Sequence, residues 1–279
     1  MSPVFVFGMS GQVGEALAPR LLARFDSVDA LSRYPRSDLP GLHWLLGSLE
    51  HMPSGGAMAN DILVSLGPLD AFTHWYASAR PAASRIIALG STGIRDKSAS
   101  SDPQERELAQ RLADSEARLF DAGRQYGAAV TVLRPTLLYG NGRDQSLTPL
   151  VSRARRWRVL PLPSTARGRR QPVHVEDVAG AILACLDAPA ALIAGHGYDL
   201  PGAEALPFVV MVRRCLQSQA PGARVLVLPA FAFHAIVWMA ARLGRGPAQG
   251  SLSRLAADQI ADAMPAHLAF GYQPGPFRP

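Results

Sequence analysis

Residues 4–14 read VFVFGMSGQVG, and this stretch decides the fold. Residues 4–7 are apolar and have the length of a short buried strand, and apolar residues return at helical spacing from Val13. The turn between strand and helix has the pattern G-x-x-G-x-x-G, formed by Gly8, Gly11 and Gly14. A strand, a glycine-rich turn and a helix in this order are typical of the first unit of a nucleotide-binding sheet.

The same alternation continues along the chain. Further apolar runs bounded by Gly, Pro, Ser or Asp predict strands at Val28–Leu31, Leu42–Leu46, Ile62–Leu66, Arg85–Leu89 and Ala129–Leu133. A helix is predicted from Pro103 to Arg124, with Asp102 as its N-cap. Helices that alternate with uniformly apolar strands predict an α/β fold with a doubly wound parallel sheet.

The pattern loosens after Arg134 and Pro135. Later elements are predicted as a helix over Glu176–Leu186, a strand over Tyr198–Leu200, a helix over Pro207–Leu216, a strand over Arg224–Leu228, and helices starting at Pro229 and Leu252. We therefore expect a nucleotide-binding domain at residues 1–190 and a smaller C-terminal α/β lobe at residues 191–279.

Composition excludes several classes of protein. Hydrophobic residues are 48% and charged residues 18% of the 279, which excludes disordered and fibrous chains. No apolar run reaches the ~20 residues of a membrane span, and no basic flank precedes Ser10, so we expect neither a membrane span nor secretion, and a cytoplasmic protein. Cys185 and Cys215 lie in apolar helical patterns, which predicts two buried thiols and no metal site.

The net charge of +6 is spread along the chain without aromatic residues interleaved, which argues against nucleic-acid binding. Lys97 is the only lysine, so the other 27 of the 28 basic residues are arginine. The presence of only one lysine limits where a catalytic lysine could lie in the sequence.

The glycine turn predicts a nicotinamide dinucleotide site. Gly8 allows the sharp turn, Gly11 lets backbone amides approach a pyrophosphate, and Gly14 lets helix and strand pack closely. The residues of the turn that we expect at the cofactor are Gly8, Ser10, Gly11, Gln12, Val13 and Gly14.

The end of the second strand distinguishes the two nicotinamide cofactors. An NAD site usually places an acidic residue there, whereas a 2′-phosphate requires hydroxyl and guanidinium groups. This strand ends in Ser32 and Arg33, with Arg36 close behind, and Asp29 falls too early. NADP is therefore favoured over NAD, and the alternative is that Arg33 is a solvated loop residue.

Four motifs occur in the order of a known family. They are residues 8–14, Leu89-Gly90-Ser91-Thr92-Gly93-Ile94, Leu133-Arg134-Pro135-Thr136-Leu137-Leu138-Tyr139-Gly140 and Pro172-Val173-His174-Val175-Glu176-Asp177-Val178-Ala179. Over residues 3–188 the sequence resembles the short-chain dehydrogenase/reductase superfamily, in its extended or atypical NAD(P)-dependent epimerase/dehydratase branch. The resemblance implies a Rossmann-type fold and cofactor contacts from Leu66, Gly67, Pro135 and Thr136. It also implies a small-molecule substrate between the sheet edge and the C-terminal lobe.

The catalytic pattern of that family is incomplete. The resemblance implies a hydroxyl after the fifth strand, here Thr92 with Ser91 beside it, and a Tyr-x-x-x-Lys pair on the following helix. Leu108 and Leu112 occupy the tyrosine and lysine positions. No alignment slip restores the pair, because the residue four positions before the only lysine is Gly93. Weak candidates for the missing proton donor are Glu105, Glu107, Arg111, Asp114 and His174, with a solvated helix face or a packing histidine as the alternative for each.

Seven arginines lie between Arg153 and Arg170 and could clamp the diphosphate of a nucleotide-sugar through bidentate hydrogen bonds. The resemblance places an arginine near the substrate phosphate, which makes Arg170 the substrate candidate; a solvated basic loop is the alternative. The apolar segment from Phe231 to Met239 is interpreted as core of the C-terminal lobe, with a homodimer face or an apolar wall of the substrate site as the alternatives.

Two functions stay open at this point. One is an NADP-dependent oxidoreductase or isomerase, of the epimerase/dehydratase type, acting on a carbonyl or nucleotide-sugar substrate with a nonstandard proton donor. The other is a nonenzymatic NADPH-binding protein that senses cofactor status or stabilises a partner. Loss of the Tyr and Lys favours the second, and retention of Thr92 and Arg170 favours the first.

Overall fold

A parallel sheet of seven strands lies at the centre of this computed structural model, which describes residues 4–53, 61–242 and 254–279. The described strands are β1 (Val4–Phe7), β2 (Val28–Ser32), β3 (Leu42–Leu46), β4 (Ile62–Ser65), β5 (Arg85–Leu89), β6 (Ala129–Pro135), β7 (Leu137–Tyr139), β8 (Val159–Pro163), β9 (Arg169–Arg170), β10 (Pro172–His174), β11 (His196–Leu200), β12 (Leu206–Pro207) and β13 (Arg224–Leu228). The order across the central sheet is β11-β6-β5-β4-β1-β2-β3, with all neighbours parallel. The predicted doubly wound parallel sheet is confirmed.

Helices cover both faces of the sheet. The described helices are α1 (Gln12–Leu22), α2 (Leu69–Ala79), α3 (Gly93–Asp96), α4 (Pro103–Tyr126), α5 (Leu147–Trp157), α6 (Val175–Asp187), α7 (Ala190–Ile193), α8 (Phe208–Gln219), α9 (Ala230–Arg242) and α10 (Met264–Phe270). Side chains alternate between the faces along β1: Val4 and Val6 join the core under α1 and α6, and Phe5 and Phe7 join the core under α2 and α4. Burial on both faces explains why these strands read as continuous apolar runs.

The long helix α4 begins where its sequence predicts and ends at Tyr126, two residues beyond the predicted Arg124. The Asp102 carboxylate accepts a hydrogen bond from the backbone N–H of Gln104 at 2.9 Å, and Pro103 occupies the first turn. The helix ends at Gly127, whose φ of 78° is left-handed. These caps fix α4 beside α3, at the carboxyl edge of the sheet.

A separate apolar cluster forms the smaller lobe. It joins α5, β8 and α8, with Leu162, Met211 and Cys215 among its buried residues, and β13 pairs with β8. The domain boundary at residue 190 stays a prediction. Three strand pairings cross it, because β11 belongs to the central sheet beside β6, β12 pairs with β9, and β13 pairs with β8.

The last predicted helices have different outcomes. The helix predicted from Pro229 is α9. Its interpretation as core of the lobe is wrong for most of the segment, because Phe231, Trp238 and Met239 are more than half exposed, although Phe233 is buried. The start of the helix predicted at Leu252 lies outside the described residues, but the described chain after it forms turns at 254–256 and becomes helical only at Met264.

Both cysteines are free and buried, as predicted. Burial raises the pKa of Cys185 and of Cys215 to about 12, so the thiols are protonated and inert at neutral pH. Within the described ranges, no helix is long and apolar enough to cross a membrane. In the same ranges no cluster of His, Cys, Asp and Glu side chains has the arrangement of a metal site.

Candidate active site

The glycine turn between β1 and α1 is shaped by its three glycines. Gly8 has a φ of 81°, which disfavours residues with a side chain, and its carbonyl accepts a hydrogen bond from the N–H of Gly11 at 2.9 Å. A Cβ on Gly14 would lie 2.1 Å from the carbonyl oxygen of Met9. The first turn of α1 therefore packs directly on the loop backbone, as the sequence predicts.

A cleft of about 920 Å³ opens at the carboxyl ends of β1, β2 and β4. The structure brings most of the predicted cofactor residues to its walls: Gly8, Ser10, Gly11, Gln12, Ser32, Arg33, Leu66, Gly67 and Thr136. This is the edge of an open α/β sheet at which ligands bind.

Four predicted cofactor residues do not line the cleft. Val13 and Gly14 are buried in the first turn of α1, and Pro135 is buried at the end of β6. The Arg36 guanidinium lies 5.0 Å from the ring centroid of Trp44, outside the cleft. Val13, Gly14 and Pro135 thus pack behind the residues that line the cleft and do not line it themselves.

The end of the cleft beside β2 combines opposite charges. Arg33 is exposed and lines the cleft, and Glu50 lines it from the segment after β3. The Ser32 hydroxyl donates to the carbonyl of Tyr34 at 2.8 Å, so its proton is used within the turn. Sequence reasoning missed Glu50, because the usual acidic ribose ligand follows the second strand and this one follows the third.

The residues present fit a nicotinamide dinucleotide. The volume lies within the range of cofactor sites, and α1 directs its N-terminus at the cleft. Gln12 lines the cleft, and its Oε1 is buried without a hydrogen-bond partner among the described residues. No heavy atom lies within 4 Å of the position that a Cβ would take on Gly67. A ligand in the cleft could satisfy Gln12 and approach the backbone at Gly67.

A smaller pocket of about 210 Å³ adjoins the cleft, because Thr136, Leu137 and Ser146 line both. Its other lining residues are Ser91, Thr92, Gly93, Asp96, Lys97, Arg170, Arg254 and Gln259. The predicted Thr92 and Arg170 therefore meet in one pocket beside the dinucleotide cleft.

Thr92 is 4% exposed, and its hydroxyl donates to Asp96 Oδ2 at 3.2 Å. Burial raises the pKa of Asp96, while the hydrogen bond from Thr92 opposes that shift. Beside them, Ser91 Oγ accepts the N–H of Gly93 at 3.0 Å. Asp96 thus fixes the orientation of the hydroxyl that the resemblance places after the fifth strand.

Lys97 and Arg254 are pocket residues that sequence reasoning missed. Lys97 lies immediately after α3, and burial together with the charge of Arg254 lowers the pKa of its ammonium. The available signal was its being the only lysine of the chain. Arg254 gave no signal, since its position in the pocket depends on tertiary packing.

Leu108 and Leu112, which stand where the family has its Tyr and Lys, line neither cavity. Both residues are half-buried on α4. The walls of the smaller pocket come instead from residues 91–97, 136–137, 146 and 170 and from the 254–259 segment.

The weak proton-donor candidates are placed elsewhere. Glu105 accepts from Ser100 Oγ at 2.6 Å and pairs with Arg254 Nε at 2.7 Å. Arg111 lies 3.6 Å from Asp70 on the exposed side of α4, and Glu107 and Asp114 are exposed on the same helix. None of these four lines the smaller pocket.

His174 is the N-cap of α6, where its Nδ1 accepts the N–H of Glu176 at 3.2 Å. Its ring packs edge-on against Tyr139. It lines a different cavity, of about 310 Å³. This geometry supports the packing interpretation of His174.

Arg170 is 4% exposed, and its guanidinium donates to the carbonyls of Arg169, Arg254 and Ala257 at 2.6–2.8 Å. Burial and the charge of Arg254 lower the pKa of Arg170 to about 10. The side chain therefore holds the 254–257 segment over the pocket. Of the other arginines of the predicted clamp, Arg155, Arg167 and Arg169 also donate to backbone carbonyls.

Comparison of the sequence with known proteins gives one family. Residues 77–200 match the NAD dependent epimerase/dehydratase family, a segment that begins in α2 and ends with β11. No curated protein matches the sequence.

Solved structures match nearly the whole chain. MoeE5 in complex with UDP-glucuronic acid and NAD is 16% identical, with a TM-score of 0.72 over 99% of this chain and 94% of that one. UDP-glucuronic acid 4-epimerase from Bacillus cereus in complex with NAD is 12% identical, with a TM-score of 0.72 over 98% and 93%. DesIV, a dTDP-glucose 4,6-dehydratase from Streptomyces venezuelae with NAD and TYD bound, is 17% identical, with a TM-score of 0.70 over 99% and 92%. At these identities the likeness establishes the fold.

Proposed function

Because residues 77–200 match the NAD dependent epimerase/dehydratase family, we propose that this chain is an NADP-dependent oxidoreductase or isomerase acting at a carbonyl carbon. The observation that carries the proposal is that the large cleft and the smaller pocket of Thr92 are neighbours. Thr136, Leu137 and Ser146 line both of them. A substrate carbonyl in that pocket lies next to the reactive end of a cofactor in the cleft.

The proposed roles of the residues follow from their contacts. A bound nicotinamide supplies or accepts the hydride. The glycine turn and the N-terminus of α1 bind the pyrophosphate, and Arg33 binds the 2′-phosphate. Thr92, whose hydroxyl donates to Asp96 in this structure, turns that proton to the substrate oxygen when substrate binds. The half-buried side chains of Thr136 and Leu137 form the wall beside the reacting carbon and limit the access of water to it.

The NADP preference is tested at Arg33. Titration calorimetry is expected to give tighter binding of NADPH than of NADH in the wild type, by roughly 10- to 150-fold, because a guanidinium-phosphate contact contributes about 1.5–3 kcal/mol. Arg33→Ala should lose this preference. Arg36→Ala is the matched control, since its guanidinium packs on Trp44, and it should keep the preference.

Equal wild-type affinities for the two cofactors would contradict the NADP assignment. They would assign the ribose end to Glu50, the carboxylate that lines the same end of the cleft, and so make NAD the cofactor. The solved neighbours named above carry NAD, which makes this comparison the first experiment to perform.

For the substrate we propose a nucleotide-sugar, in line with the UDP-glucuronic acid bound to MoeE5. UDP or dTDP at 100 times its dissociation constant is then expected to raise the Tm of the NADPH complex by about 5–10 °C. Arg170→Ala should abolish the ligand-induced shift, measured as a difference within each variant because this change also frees the 254–257 segment. A Tm that responds to NADPH and to no nucleoside diphosphate would contradict the nucleotide-sugar.

The second candidate function is a nonenzymatic NADPH-binding protein, which is favoured by Leu108 and Leu112 at the positions of the family's acid and base. A panel of aldehydes, α-keto acids and sugar nucleotides distinguishes the two functions. NADPH oxidation on any member supports the enzyme, and NADPH binding without turnover on every member supports the binding protein. We propose the cytoplasm as the location, because both thiols are buried and unpaired.

A further inference from the structure

Lys97, the single lysine of the chain, directly follows the C-terminus of the short helix α3. The Cδ and Cε atoms of its side chain lie 3.7 Å from the position of a Cβ on Gly93, at the start of that helix. The stem therefore folds back toward Ser91 and Thr92. Lys97 and Thr92 line the same pocket, next to the cleft.

Charged groups from four elements act on Lys97 or line its pocket. Asp96 precedes it on α3, Glu105 comes from α4, Arg254 comes from the turn at 254–256, and Arg170 of β9 lines the same pocket. Glu105 forms an ion pair with Arg254 Nε at 2.7 Å, so a carboxylate is paired with the arginine whose charge acts on Lys97. Burial and Arg254 lower the pKa of Lys97, and Glu105 and Asp96 oppose the shift.

The other polar groups of the pocket are poor proton donors. Guanidinium groups such as those of Arg170 and Arg254 keep their protons in catalysis at ordinary pH. The Thr92 hydroxyl already donates its one proton to Asp96, and Asp96 serves as the acceptor of that bond. An ammonium is the group here that both carries a proton near neutral pH and can release it when desolvated.

We propose that Lys97 is the catalytic acid and base of this site, in place of the family's tyrosine. The proposal rests on the proposed function. In the reductive direction the hydride from the reduced nicotinamide adds to the carbonyl carbon, the C=O π bond breaks toward oxygen, and that oxygen takes a proton from the Lys97 ammonium, giving an alcohol and a neutral amine. In the oxidative direction the amine takes the hydroxyl proton as the hydride leaves. Asp96 is a positioning residue that acts through Thr92.

Because Lys97 is the only lysine of the sequence, its pKa can be measured directly. Reductive ¹³C-methylation labels the one lysine and any free α-amino group, and NMR titration then reports the Lys97 pKa without any substrate. We expect it below the ordinary value of about 10.4. Arg118→Lys, an exposed position on α4, adds an internal standard that should titrate near the ordinary value.

Neighbouring charges provide a sign test. Arg254→Gln should raise the Lys97 pKa by removing a like charge, and Glu105→Gln should lower it by removing an opposite charge. A lysine in open solvent would respond to neither change. An ordinary Lys97 pKa that matches the Arg118→Lys standard, or no opposite response to the two variants, would overturn the proposal.

Kinetics test the role itself, using NADPH with the aldehyde, α-keto acid and sugar-nucleotide panel. Lys97→Arg retains the charge without the transferable proton, and kcat should fall by about 10²- to 10⁴-fold while the Kd for NADPH stays within about twofold of the wild type. Wild-type reduction should slow as pH rises through the Lys97 pKa, and oxidation should accelerate. Added ethylamine should partly rescue Lys97→Ala.

The outcomes separate this proposal from the proposed function. A Lys97→Arg variant with more than a tenth of wild-type kcat shows that the proton comes from elsewhere and overturns the proposal, while the proposed function stands. A wild type that binds NADPH and turns over no panel member contradicts the enzymatic function and its catalytic acid together. A wild type that does not bind NADPH contradicts the cofactor assignment.

Discussion

Arg134→Met is expected to lower the free energy of unfolding by about 3–5 kcal/mol, because it would leave the Glu116 carboxylate buried and unpaired. The Arg134 guanidinium binds both oxygens of Glu116, which is 6% exposed in its side chain. That hydrogen-bonded pairing raises the pKa of Arg134. The same guanidinium lies 3.8 Å from Asp199, which pairs with Arg95 at 2.6 Å.

Urea denaturation measures this effect, and two further variants interpret it. Arg134→Met with Glu116→Leu removes both charges and should recover most of the lost stability. Arg124→Met breaks an ion pair with Asp121 that is exposed on α4, and it should cost less than about 1 kcal/mol. A cost of about 1 kcal/mol or less for Arg134→Met would show that Glu116 reaches water in solution.

Gly14→Ala is expected to damage both stability and cofactor binding. Its Cβ would lie 2.1 Å from the Met9 carbonyl oxygen, so the backbone of the glycine turn must move. Overpacking of this kind costs at least about 1–3 kcal/mol, and the displaced turn should weaken NADPH binding by more than tenfold. Thermal unfolding and NADPH fluorescence titration measure the two effects.

Gly11→Ala is the matched comparison within the same turn. Its Cβ would approach only the Gly8 carbonyl, at 3.2 Å, and its φ of −84° suits any residue, so the Tm should change little. Gly11 lines the cleft, however, and a methyl group there should weaken NADPH binding. Intact NADPH binding by Gly14→Ala would contradict the assigned role of the turn.

The sequence predicts those parts of the molecule that depend on local pattern. The turn at Gly8 to Gly14 is local, and so are the caps of α4 at Asp102 and Gly127. The strands of the sheet are short, continuous apolar runs, because helices cover both faces. The positions of Gly8, Arg33 and Thr136 around one cleft then follow from the order of the strands.

The remaining features depend on contacts between distant parts of the chain. Arg170 has the sequence context of a phosphate ligand, yet its donors reach carbonyls 84 and 87 positions away. Lys97 and Arg254 meet only through packing of the C-terminal segment against α3 and α4. No periodicity encodes such contacts, so the pocket could be predicted in outline and its ionisable groups could not.

Residues 254–261 are held to the rest of the protein by a set of hydrogen bonds. Besides the guanidinium of Arg170, the segment is tied by Gln259 N–H to the Arg169 carbonyl at 2.9 Å and by Ala261 N–H to Gln171 Oε1 at 2.7 Å. These anchors lie on residues 169–171, and the Arg254–Glu105 ion pair adds one on α4; none of them involves the glycine turn at residues 8–14. A change of the side chain of Gln259, a residue whose anchor is its backbone N–H, would therefore alter one wall of the smaller pocket and leave the glycine turn unchanged.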